Sequence, residues 1–206
     1  MDPISGAMQA AVGARMKAAL RKRMLALRST FPAGARAERS ALLVERLASV
    51  EPIARARSVA LFHPIEARCE VDLRALDSLL RQRGVRIAYP RMDPMEPGAM
   101  DFRIVPDLER LSVHSLGMRE PGPDDLVANP GDLEAIVVPA LAVDCRGYRI
   151  GYGMGCYDRQ LPRHSPPAVT IAVAFDFQLV VEIPSDAHDV PVDWVATDAR
   201  VVCTKE

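Results

Sequence analysis

Apolar residues recur at helical spacing in "ARMKAALRKRMLAL" (residues 14–27), where Met16, Leu20, Met24 and Leu27 share one stripe. Lys17, Arg21 and Arg28 form a second stripe about 100° round the same helix. Taken alone, such a stripe reads as a solvated basic face. A second helix follows Pro32 and carries Leu42, Leu43 and Leu47. "DLRALDSLLRQRG" (72–84) is a third, with Leu73, Leu76, Leu79 and Leu80 inward, Asp72 suited to its N-cap and Gly84 to its stop. Between and after these helices the pattern changes to short apolar runs: "SVALF" (58–62), "VRIAY" (85–89, closed by Pro90), "DFRIV" (101–105), "LEAIVVPAL" (133–141), "VTIAVAF" (169–175) and "WVATDARVV" (194–202). Each reads as a strand. "LGMREPGPDDL" (116–126) reads as a loop, and a short helix is expected from about Cys156.

Strands alternating with helices, several of them continuously apolar, predict an α/β fold. The expected architecture is three-layer αβα: a mainly parallel sheet covered by helices on both faces, in a single domain over residues 1–206. About residues 1–14 are expected to be a loose tail or a segment foreign to the native chain. In such sheets ligands sit beyond the carboxyl ends of the strands.

Composition narrows the function by exclusion. Twenty-six basic residues against 27 acidic ones leave no net field for nucleic acid or an acidic membrane. No apolar run approaches the roughly 20 residues of a membrane helix, and the chain's start has no secretory pattern. Cys69, Cys145, Cys156 and Cys203 show no paired spacing, and His63, His114, His164 and His188 are scattered. Zinc sites and disulfides are therefore not expected; reduced thiols in a cytoplasmic enzyme are.

The densest candidate chemistry is "GYRIGYGMGCYDRQL" (147–161). Gly151, Gly153 and Gly155 free the backbone to wrap phosphate oxygens, and a helix beginning behind them adds a favourable dipole. Arg149 and Arg159 flank the glycines, and Asp158 could reach a Mg²⁺ brought by such phosphates. The pattern is GxGxG, neither the dinucleotide GxGxxG nor a P-loop. A glycine-rich turn before a helix, with Asp158 in the first turn, explains the same residues.

At this point the chain resembles the 5-formyltetrahydrofolate cyclo-ligases (5,10-methenyltetrahydrofolate synthetases), whose hallmark is R-L-G-x-G-x-G-Y-Y-D-R. Here it stands as "RIGYGMGCYDR", Arg149 to Arg159. "KAALR" (17–21) is similar to the family's basic N-terminal helix, "CEVDLRAL" (69–76) to its E-V-D-T segment and "YPRM" (89–92) to its strand-end P-R. "LGMREP" (116–121) is similar to G-x-x-E-P, and residues 174–197 to the C-terminal signature.

The resemblance implies MgATP-driven closure of 5-formyltetrahydrofolate to 5,10-methenyltetrahydrofolate, with release of ADP and phosphate through a phosphorylated imidate. It implies ATP contacts from Lys17, Arg21, Arg149 and residues 151–157 (Gly151, Tyr152, Gly153, Met154, Gly155, Cys156, Tyr157). Tyr152 to Cys156 would also border the folate, beside the acidic pair Glu70 and Asp72. Asp158 and Asp189 look like Mg²⁺ ligands, and Arg91 and Arg159 like phosphate contacts. The expected partners are small molecules, with no nucleic acid or membrane, and the expected protein is a cytoplasmic monomer. Arg28 on the basic stripe reads as surface, and Phe175 and Trp194 as core.

Two positions depart from the family pattern. Cys156 stands where the first tyrosine of Y-Y-D is usual, and Met154 where glycine or a basic residue is common. Altered affinity is expected from both. Two readings from other classes compete: a non-catalytic folate- or nucleotide-binding module, and a methyltransferase whose GxGxG would have to follow a first strand directly.

Overall fold

The computed structural model describes residues 3–114 and 117–205. Five parallel strands and their neighbours build the centre: β1 (Ser58–Ala60), β2 (Arg86–Met92) and, beyond β3 (Met100–Val105), β4 (Ser112–Val113), β5 (Arg119–Glu120) and β6 (Leu126–Val127), β7 (Ala135–Pro139). A hairpin, β8 (Ala142–Val143) and β9 (Arg149–Ile150), leads to β10 (Val169–Val173), β11 (Trp194–Ala196) and β12 (Val201–Cys203). Among the described residues the main sheet has eight strands in the order β12-β11-β10-β7-β1-β2-β3-β6. The pairs from β11 through β10, β7 and β1 to β2 are parallel; the outer pairs on either side are antiparallel.

Alternation along the strands decides what each face receives. Val59, Ile87, Val137 and Ile171 point to one side, against Leu43 and Leu47 of α2 (Ala33–Ser49), Ile53 of α3 (Glu51–Arg55) and Leu76 and Leu80 of α4 (Arg74–Gln82). Ala60, Ala88, Ile136 and Ala172 point to the other, where Leu161 of α5 (Cys156–His164) packs. Three layers result, as the sequence predicts. Phe175 is fully buried and the partly buried Trp194 packs on the same core.

α1 (Pro3–Ser29) does not lie on the sheet. Met24, Leu20 and Leu25 dock it on the β8–β9 hairpin, beside Leu141, Ile150 and Ile183. Met16 and Leu27, on the same apolar stripe as Leu20 and Met24, are exposed, because a hairpin offers less surface than a sheet face. The helix is drawn from Pro3 through the stretch expected as a loose tail, and residues 1 and 2 lie outside the described residues. Leu42 and Leu79 are likewise more exposed than their apolar runs suggest.

Other differences have local causes. β2 continues through Pro90, paired with Phe102 of β3; the register with β1 ends at Ala88, so Pro90 falls where β2 has one strand neighbour. The run at 194–202 breaks into the antiparallel pair β11–β12. Thr197 supplies the turn, its hydroxyl accepting from the amides of Ala199 and Arg200. The loop at 116–126 contains β5 and the start of β6, and its first residue, Leu116, lies outside the described residues.

Candidate active site

The carboxyl ends of β1, β2 and β7 open into a cavity of about 660 Å³, closed on its far side by α1 and the glycine loop. Its cationic end is lined by Lys17, Arg21 and Arg149 with residues 151–157, and Asp158 and Asp189 border the same space. The rest of the wall is largely apolar: Phe62, Ile65, Pro90, Met92, Met100 and Met118. Phosphate-type and ring-type surfaces therefore meet in one enclosure.

The glycine loop owes its shape to backbone freedom at two positions. Gly155 adopts φ +67° just before α5, and Gly153 adopts φ +101°, both in the region that side chains disfavour. A Cβ at Gly153 would also stand 3.4 Å from the Arg21 guanidinium. Arg21 Nε donates to the Gly151 carbonyl at 2.9 Å, so α1 holds the loop directly.

Two of the three cations at this end, Lys17 and Arg149, are paired with the carboxylates expected to bind metal. Lys17 Nζ lies 2.5 Å from Asp189 and 2.7 Å from Asp186. Partial burial pulls the ammonium's pKa down, but the hydrogen bonds to Asp186 and Asp189 outweigh it and hold it above its ordinary value. Arg149, almost wholly buried, donates to Asp158 at 2.8 Å and to the Val190 carbonyl at 2.5 Å. Its burial lowers its affinity for the proton against the opposing pull of Asp158, yet a guanidinium keeps its charge. Among the described residues no group of three or more His, Cys, Asp or Glu could hold a metal unaided. Two carboxylates do suit Mg²⁺ when phosphate oxygens and water complete the shell, because that ion dehydrates reluctantly.

Arg28 corrects the sequence reading. It is only 3% exposed, and its Nη2 donates to the Tyr152 hydroxyl at 2.6 Å. Tyr152 in turn donates to Glu70 Oε1 at 2.6 Å, and Arg28 stands 3.9 Å from the same carboxylate. Arg68 lies over the Tyr152 ring, 4.9 Å from its centre. Glu70 also accepts from the Ile65 amide at 2.8 Å. Burial pushes the Glu70 carboxyl up, and the Ile65 amide, Tyr152 and Arg28 hold that rise back. Helical spacing put Arg28 on the stripe of Lys17 and Arg21, but only the packing of Tyr152 against α1 buries it.

Three candidates stand elsewhere. Asp72 turns away from the cavity into a smaller hollow of about 240 Å³ beside Arg36, Ser40 and Arg74. Its carboxylate accepts from the Arg74 amide at 3.0 Å and pairs with the Arg74 guanidinium at 2.5 Å; the N-cap of α4 is Leu73 with no side-chain capping bond, so Asp72 is not the cap its position suggested. Arg91 donates to the Pro121 carbonyl at 2.5 Å, and Arg159 to the carbonyls of Gly98 (3.1 Å) and Met154 (2.9 Å). Both guanidiniums brace loops through backbone carbonyls, and neither is part of the cavity wall. Met154 and Cys156 do border the cavity, the first exposed and the second half-buried, where burial pushes its thiol up. His63, Met118, Arg119 and Glu120 are further wall residues that spacing alone did not single out. The G-x-x-E-P pattern was the one signal for Glu120.

A family model described as "5-formyltetrahydrofolate cyclo-ligase family" matches residues 14–198. The 5-formyltetrahydrofolate cyclo-ligase of Escherichia coli strain K12 is 29% identical over 158 residues, 76% of this chain and 86% of that protein. That of Mycolicibacterium smegmatis is 47% identical over 85 residues, which span 41% of this chain and 44% of that protein. The NMR structure of Aquifex aeolicus 5,10-methenyltetrahydrofolate synthetase matches with a TM-score of 0.80 at 31% identity, over 93% of this chain and 94% of that one.

Proposed function

The chain belongs to the 5-formyltetrahydrofolate cyclo-ligase family and is an enzyme that turns 5-formyltetrahydrofolate into 5,10-methenyltetrahydrofolate; we propose that MgATP drives this closure in the cavity just described. One observation carries the reading: a single enclosure joins a cationic, glycine-lined end to an apolar end large enough for a fused ring. The need for ATP follows from leaving-group chemistry. A formamide oxygen leaves poorly, so the formyl oxygen first attacks the γ-phosphorus and ADP departs. The N10 nitrogen then attacks the activated carbon, and phosphate leaves with the oxygen.

The protein's part is positioning and charge stabilisation. Lys17 and Arg21 on α1 and Arg149 before the glycines would hold the phosphates, exchanging Asp189 and Asp158 for them. Those two carboxylates would hold Mg²⁺, which when bound spreads the charge developing on the transferred phosphoryl group. Tyr152 and Glu70 would border the folate, with Met154 and Cys156 at its edge. The four cysteines are free, which suits a reducing cytoplasm. No helix among the described residues is long and apolar enough to cross a membrane.

The test is formation of the methenyl product, followed by its absorbance, from purified protein with and without ATP and Mg²⁺. Product that requires both supports the proposal. Closure without ATP, or folate and nucleotide binding without turnover, would overturn it; the latter outcome is that of a binding module. A methyltransferase is disfavoured by topology, since the glycines follow a hairpin after β7 rather than the first strand.

A further inference from the structure

Four acidic side chains line the cavity among its described residues: Glu70, Glu120, Asp158 and Asp189. Asp158 and Asp189 are paired with Arg149 and Lys17 at the phosphate end. Glu70 receives the Tyr152 hydroxyl and the Ile65 amide. Glu120, on β5, is different. It is 5% exposed and lies beside the methionine wall, its Oε2 accepting from the Met92 amide at 3.1 Å. Its Oε1 stands 3.8 Å from Arg91 Nη1 and 3.9 Å from His114 Nε2, beyond hydrogen-bond length from both.

A carboxylate held in a nearly dry, largely apolar wall is expensive unless donors reach it. A flat ring system bound among Phe62, Met92 and Met118 would cover its faces with apolar contacts and present its polar edge to whatever lies in the ring plane. The pterin edge carries two adjacent donors, the N3 hydrogen and the 2-amino group, which match a carboxylate's two oxygens. We infer that Glu120 is the carboxylate that recognises this edge, and that it, rather than Asp72, completes the acidic pair with Glu70. The Met92 amide fixes the plane of the carboxylate before the ligand arrives, so little side-chain freedom is lost on binding. This assignment rests on the folate reading of the cavity and goes beyond it by naming which end takes the pterin.

Glu120→Gln is the informative variant, because an amide oxygen can still accept from Met92 while the charge is removed and one acceptor becomes a donor. The dissociation constant for 5-formyltetrahydrofolate should weaken roughly ten- to hundredfold, the worth of a charge-assisted hydrogen bond. That for ATP should stay within about twofold. A 2-desamino analogue keeps only the N3 donor, so Glu120→Gln should weaken its binding clearly less than it weakens that of 5-formyltetrahydrofolate. Parent-like folate affinity in the variant, or an equal penalty for the analogue, would overturn the assignment. The parent alone provides a second test that needs no folded variant: if it binds the analogue as tightly as 5-formyltetrahydrofolate, Glu120 does not read the 2-amino group. A parent that forms methenyl product while Glu120→Gln is unaffected sinks this inference only. A parent that forms none sinks the folate reading and this inference with it.

Discussion

Arg28→Met separates a surface arginine from a buried one. Were Arg28 on a solvated face, the change would alter stability by less than about 0.5 kcal/mol. The structure demands more. Arg28 is 3% exposed, bonded to Tyr152 and close to Glu70, which is itself 4% exposed at its side chain. Removing one partner of a buried charge pair costs about 3–5 kcal/mol. Against this stands Arg28 Nε, a buried donor without a hydrogen-bond partner among the described residues, whose removal returns about 1–2 kcal/mol. A net loss of about 1–4 kcal/mol follows, or a fall in Tm of roughly 2–16 °C for a chain of this size. The loss should also depend on pH. Burial raises the folded-state pKa of Glu70 above its unfolded value, so its contribution to stability is complete at acid pH and fades as pH rises through the folded pKa. Without Arg28 that pKa climbs further, and the deficit must be larger at about pH 7 than at about pH 5. Urea unfolding at both pH values, with unchanged slope, measures it. Arg28→Met combined with Glu70→Gln should recover much of the loss. A single variant within about 0.5 kcal/mol of the parent at neutral pH would refute the buried cluster.

Asp158→Asn should cut turnover by about a hundredfold or more while the protein stays folded, as expected if the carboxylate serves the phosphoryl-transfer step; undiminished activity across a Mg²⁺ titration would contradict this. Lys17→Ala and Arg21→Ala should each raise the KM for ATP roughly ten- to hundredfold with little change in that for folate. Calorimetry showing parent-like ATP binding in both would return α1 to a structural role. His164 is buried in α5, edge-on to Phe102, and burial lowers its pKa below the ordinary value of 6.5. The unfolded chain then takes up the proton first, so stability present above about pH 6.5 drains away as pH falls through the depressed folded value. His164→Leu should flatten that part of the stability-versus-pH curve, and an unchanged acid slope would count against it.

Strand and helix periodicity determined the layers, because each strand's alternating apolar faces had to be covered by an amphipathic helix or by α5. The glycine loop was legible for the same reason: Gly153 and Gly155 report backbone conformations that a side chain would oppose. Lys17, Arg21, Arg149, Asp158 and Asp189 were visible by residue type and by resemblance, and the structure gathers them at one end of the cavity. What the sequence could not carry was direction. Asp72 and Glu70 are two residues apart on the chain, yet one faces Arg74 and the smaller hollow while the other reaches the cavity and Tyr152. Arg28 read as surface because its partners, Tyr152 and Glu70, come from distant segments that only the folded packing brings beneath α1. Arg91 and Arg159 bear the right charge in the right neighbourhood, but each turns to backbone carbonyls of a neighbouring loop instead of the cavity. Local pattern fixes which residues can form an element, whereas a side chain's partner depends on contacts across scores of residues, and those exist only in three dimensions.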